Sequence, residues 1–136
     1  MPAMRNNQRF LCVALASLVM AGLPTLRTAD AHHSFTAEFV ADKTARMKGR
    51  ITQVWFRNPH VRYLMVVENE NGEEETWDAR GSPVVWLARK GWTKDSIQVG
   101  DTVEIYGFLG RDGMKMLSII NITLEDGTVL VDKVPE

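Results

Sequence analysis

Four turn dipeptides, Asn71-Gly72, Gly100-Asp101, Asp112-Gly113 and Asp126-Gly127, punctuate the second half of the chain. Most of the runs around them are short and rich in β-branched and aromatic residues, the pattern of strands joined by tight connections. Thr44–Phe56 is a long strand candidate, with Gly49 where a curved strand bends. In Val61–Glu68 the residues Val61, Tyr63, Met65 and Val67 alternate with Arg62, Leu64, Val66 and Glu68, and Glu73–Arg80 returns across Asn71-Gly72. Further strands are expected over Thr102–Leu109, Lys115–Leu124 and Thr128–Asp132.

One helix interrupts them. Ser82 is the expected cap, Pro83 suits the first turn, and Gly91 stops the helix after Arg89 and Lys90. Val84, Leu87 and Ala88 fall on one face, able to plug the end of a barrel. The order β-β-β-α-β-β is that of an OB-fold. The expected class is therefore all-β with small α content: an OB-like barrel of five or six strands, the helix between strands 3 and 4. A six-stranded sandwich satisfies the same pattern.

The N-terminal region reads as an address. Arg5 and Arg9 precede the uncharged run Phe10–Leu23, and a polar stretch ends at Ala29-Asp30-Ala31. This is the layout of a secretory signal peptide cleaved after Ala31. The apolar run rises only about 21 Å as a helix, short of a hydrocarbon core of ~30 Å, so it does not read as a membrane span. The expectation is a signal peptide over 1–31 and one OB-like domain over 32–136, periplasmic or secreted.

Charge and cysteine content then exclude several functions. With 16 Lys+Arg against 17 Asp+Glu the net charge is −1, and no positive field exists to gather nucleic acid. The single cysteine, Cys12, lies in the predicted signal peptide, which leaves no disulfide and no thiolate metal site. Neither G-x-S-x-G, H-E-x-x-H nor a glycine-rich phosphate loop occurs, so no catalytic residue is assigned.

The chain has 3 histidines, His32, His33 and His60. Cleavage after Ala31 would leave His32 as the first residue. Its α-amine and ring nitrogen can then chelate one metal, and a remote imidazole can complete a three-nitrogen set suited to Cu(II). His60, set after Asn58-Pro59 between two strands, is the candidate for that imidazole, with His33 as a spare ligand. Met114 and Met116, whose i, i+2 spacing puts both on one face of a strand, offer thioethers that would suit Cu(I), although core filling explains them better.

Of the 4 tryptophans, Trp55 and Trp77 fall on predicted strands one and three. With Arg57 and Asn58 they define a candidate surface for an envelope protein or glycan, the alternative to copper, provided that register puts them on one face. Glu73-Glu74-Glu75 reads as a solvated hairpin flank. An oxidase using copper would further need an open coordination position and a substrate cleft.

At His32-His33-Ser34-Phe35, Lys48-Gly49, Asn58-Pro59-His60, Gly81-Ser82-Pro83, Gly91-Trp92-Thr93-Lys94-Asp95-Ser96 and Gly100-Asp101, the sequence resembles domain-of-unknown-function family 6152. The resemblance spans nearly all of 32–136 and implies a small exported β-barrel without an established activity or catalytic residues. The family pattern Trp-x-Asn-Pro-His is one residue longer here, Trp55-Phe56-Arg57-Asn58-Pro59-His60, and Arg57 adds a charge beside the candidate ligand.

Overall fold

The computed structural model describes residues 35–133. The predicted signal peptide and both His32 and His33 lie outside the described residues. Six strands form one sheet: β1 (Phe39–Trp55), β2 (Arg62–Glu68), β3 (Glu74–Arg80), β4 (Thr102–Gly110), β5 (Met116–Thr123) and β6 (Val129–Val131). A short helix, α1 (Val84–Ala88), lies between β3 and β4, and a 3-10 turn (Arg111–Gly113) joins β4 to β5. The class is all-β with little helix, as the spacing of the turns predicts.

The sheet order is β3-β2-β1-β4-β5-β6, and a further pairing joins β3 to β5. That pairing is parallel, from Asp78↔Met116 to Arg80↔Ser118, while the other ladders are antiparallel. It closes the first five strands into a ring. The length of β1 makes this possible, because its residues 44–50 pair with β4 and residues 50–55 with β2. The hand-over falls at Gly49-Arg50. A Cβ on Gly49 would stand 2.6 Å from the Val66 carbonyl oxygen, so only glycine admits the crossing β2 backbone there.

Inside the ring, alternate residues meet. Ile51, Tyr63, Met65, Ala79, Ile105, Leu117, Ile119 and Ile122 are all buried, following the period-2 pattern of a strand except where β5 shifts register between Ile119 and Ile122. Leu87 of α1 is fully buried among them, with Val84 half-buried beside it. Ala88, expected on the same face, is exposed. The helix thus anchors to the core chiefly through Leu87.

Four expectations need correction. β1 starts at Phe39 rather than Thr44, because Phe39 pairs with Gly110 across an irregularity that hides the alternation. Ser82 does not cap α1: Pro83 holds the N-cap position without a side-chain cap, and Ser82 is buried with its N–H turned to Asp132 Oδ2 at 2.9 Å. Met114 precedes β5 instead of sharing a strand face with Met116, because the backbone N–H of Met116 donates to the Met114 carbonyl at 2.8 Å in a tight turn. The helix ends at Ala88, ahead of the expected Arg89 and Lys90, and the turn that follows it closes at Gly91, whose φ of +88° glycine adopts without steric cost.

Candidate functional site

The corner between β1 and β2 holds the described member of the histidine set. Val61 and Gly81 bring this corner to the end of β3, since the Gly81 N–H donates to the Val61 carbonyl at 2.9 Å. A Cβ on Gly81 would meet Val61 Cγ2 at 2.6 Å, so the close approach depends on glycine. Two side chains of the corner then reach across. Asn58 Oδ1 accepts the Val84 N–H at 3.2 Å, and His60 Nδ1 lies 3.1 Å from the Gly81 carbonyl oxygen.

That second contact determines the state of the ring. A carbonyl oxygen only accepts, so Nδ1 carries the proton and donates it, leaving the lone pair on Nε2. His60 is exposed, so Nε2 is the nitrogen available to a ligand. A metal-binding imidazole commonly has this arrangement, with its other nitrogen tied to a carbonyl. The Asn58–Pro59 peptide bond in the corner is cis.

Behind the corner lies a buried carboxylate. Asp132 is 1% exposed; its Oδ2 accepts the Ser82 N–H, while its Oδ1 has no hydrogen-bond partner among the described residues. Its position is held from several sides. Lys90 Nζ donates to the Asp132 carbonyl, the Asp132 N–H donates to Ile120 at 2.8 Å, and Trp92 Nε1 donates to the Val131 carbonyl at 3.1 Å. Burial, and then the charge of Asp132, push the Tyr63 hydroxyl above the ordinary phenol range. Burial lowers the Lys133 ammonium, an effect that Asp132 opposes.

The segment that follows His33 is tied to the same strand end. Arg80, the neighbour of Gly81, donates through Nη1 to both carboxylate oxygens of Glu38 at 3.0 and 3.1 Å. Arg111 Nε donates to the Thr36 carbonyl at 3.0 Å, and the Phe35 ring lies against Phe39 and Phe108. His32 is three residues before Phe35 in the chain. Among the described residues no group of three or more His, Cys, Asp or Glu side chains gathers to hold a metal ion.

The model of a family described as "Family of unknown function (DUF6152)" matches residues 21–118 of the 136. The chain belongs to DUF6152. The matched span contains His32, His33, His60 and Gly81, and ends before Asp132. No curated protein and no solved structure matches this DUF6152 member.

In this DUF6152 chain the aromatic pair is not brought together. Trp55 pairs with Arg62, and Trp77 pairs with Met65. Arg62 and Met65 point to opposite sides of β2, so the two indoles do as well. Trp77 packs against the core, whereas the Arg62 guanidinium lies 5.1 Å from the centre of the Trp55 ring on the outer face. Arg57 is exposed in the corner.

That outer face carries an ion-pair chain which the sequence does not reveal. Arg62 Nε and Nη2 grip Asp78 at 2.9 and 2.7 Å, and Asp78 Oδ2 also accepts from Arg80 Nε at 3.1 Å. The hydrogen bond to Asp78 strengthens the hold of Arg62 on its proton. Asp132 likewise escapes a motif search, because the Val129 and Val131 beside it in the sequence are exposed and nothing local marks its burial. Among the described residues no helix is long and apolar enough to cross a membrane.

Proposed function

We propose that this DUF6152 protein is an exported binding module that holds one Cu(II) ion between His32 and His60. Export rests on the signal-peptide pattern ending at Ala29-Asp30-Ala31, which would free the His32 α-amine in the periplasm or outside the cell. The observation that carries the reading is the His60 ring itself, whose Nδ1–H is tied to Gly81 while Nε2 is left for a metal. His32 would contribute its amine and ring nitrogen, His60 its Nε2, and His33 a spare imidazole.

Two further features support it. The Glu38–Arg80 ion pair draws the segment after His33 to the residue beside Gly81. The reach from Phe35 back to His32 is about 10 Å of extended chain. The charges on the outer face beside the corner are also largely balanced: Arg62 and Arg80 share Asp78, and Arg80 also meets Glu38.

Calorimetric titration with Cu(II) tests the proposal, using protein whose mass shows that it begins at His32. One-to-one binding is expected, lost when an Ala precedes His32 and His33 is replaced by Ala, and lost again in His60→Ala. Binding indifferent to His60 overturns it.

A further inference from the structure

The carbonyl of Gly81 and the N–H of Ser82 belong to one peptide group. That group receives the His60 Nδ1–H on one side at 3.1 Å and donates to Asp132 Oδ2 on the other at 2.9 Å. We infer that Asp132 is a positioning residue for His60, acting through the Gly81–Ser82 peptide to fix which ring nitrogen carries the proton and to strengthen Nε2 as a donor to metal.

The physical basis is polarisation along a chain of hydrogen bonds. An anion accepting at the peptide N–H draws electron density toward the carbonyl oxygen, which becomes the better acceptor for His60. The carboxylate is suited to the task. It is 1% exposed, so water does not screen it, and its only hydrogen bond among the described residues goes to Ser82, since Oδ1 has none. Gly81 keeps the relay short, because a Cβ there would stand 3.2 Å from Asp132 Oδ2 as well as against Val61. Lys90 and Ile120 hold the Asp132 backbone in place, so the carboxylate does not depend on His60 for its own position.

The arrangement resembles the carboxylate–histidine–metal triad with one peptide group inserted. Direct loss of such a partner weakens metal binding ~10–100-fold, and the interposed peptide reduces the expected effect to roughly three- to tenfold. The effect on copper rests on the proposed function. The effect on the ring proton does not.

The test is nitrogen-15 NMR of the imidazole rings in the protein beginning at His32, at a pH about two units above the ordinary imidazole value. In the unaltered protein His60 is expected as the Nδ1–H tautomer, with the Ser82 amide proton shifted downfield. Asp132→Asn retains an acceptor but removes the charge. It is expected to move the Ser82 amide upfield, raise the Nε2–H population of His60, and weaken Cu(II) binding three- to tenfold. Trp77→Ala removes a core contact that takes no part in the relay, and is expected to lower stability while leaving the tautomer unchanged.

An Nε2–H tautomer in the unaltered protein overturns the inference with no variant needed, which settles the matter even if Asp132→Asn fails to fold. So does an Asp132→Asn protein whose Ser82 amide moves while the His60 tautomer stays the same. If the unaltered protein binds no copper, the proposed function fails, and the tautomer measurements still decide the role of Asp132.

Discussion

Asn58 caps the helix that begins at Val84, reaching it from 26 positions earlier in the chain. Its Oδ1 serves a backbone N–H that the residue before the helix, Pro83, leaves without a side-chain acceptor. Asn58→Ala is therefore expected to cost about 0.5–2 kcal/mol, the usual range for a lost N-cap acceptor. Asn58→Asp should recover most of it, since a carboxylate accepts the same bond. Urea unfolding of the two variants provides the comparison; equal losses in both would mean that the contact carries no weight.

Gly81 is the tightest point of the corner. Gly81→Ala would drive a methyl group into Val61, which is fully buried and has no space to yield. The expected loss is about 1–3 kcal/mol, typical of an overpacked core. In a domain of this size each kcal/mol lowers the melting temperature by about 4–8 °C. A melting point unchanged by the substitution would contradict the packing described here.

The two strand tryptophans should behave differently. Trp77 lies against the core, and Trp77→Ala is expected to cost about 2–3 kcal/mol, below the range for a wholly buried aromatic ring. Trp55 meets the Arg62 guanidinium on the outer face, so Trp55→Ala should cost only about 0.5–1 kcal/mol. Denaturant midpoints at constant slope would rank them. The reverse order would mean that β1 is out of register.

Tyr63 provides a pH signature. Burial and the Asp132 charge hold its hydroxyl proton in the folded protein beyond the unfolded value of 10.0. The folded chain then binds the proton more tightly than the unfolded chain, so this contribution to stability is complete below pH 10.0 and declines as pH rises above it. Tyr63→Phe should show a flatter fall in stability over that alkaline range. Parallel curves for the two proteins would show that the hydroxyl is not shielded.

Most strands are legible in the sequence because they are bounded by local turn chemistry and patterned largely with period two; the start of β1, which has neither, is not. Trp55 illustrates where such reading ends. Simple alternation from the buried Ile51 would point residue 55 inward, but a bulge between Ile51 and Gln53 inserts one residue and reverses the faces. Nothing in the local composition marks that bulge. The corner is less legible still, for the same reason of distance. His60 stands out in the sequence as a histidine after Asn-Pro, yet its partner Gly81 is 21 positions away and the Asp132 that takes the next N–H, that of Ser82, lies 50 positions beyond Ser82. The Ser82 cap fails on the same ground, since its backbone is committed to Asp132.

The dependence of the corner on Asp132 also bears on timing. A chain is made from its N-terminus, and the five strands of the ring are all present once residue 123 has been added. Ser82 must then wait for a residue 50 positions downstream. A chain cut short at Gly127 would retain every ring pairing but lack both the Asp132 carboxylate and the Val131 carbonyl that receives Trp92. Every ring pairing is thus available before the chain has supplied the carboxylate that takes the Ser82 N–H, and the end of β3 is the last part of the fold to gain its partner.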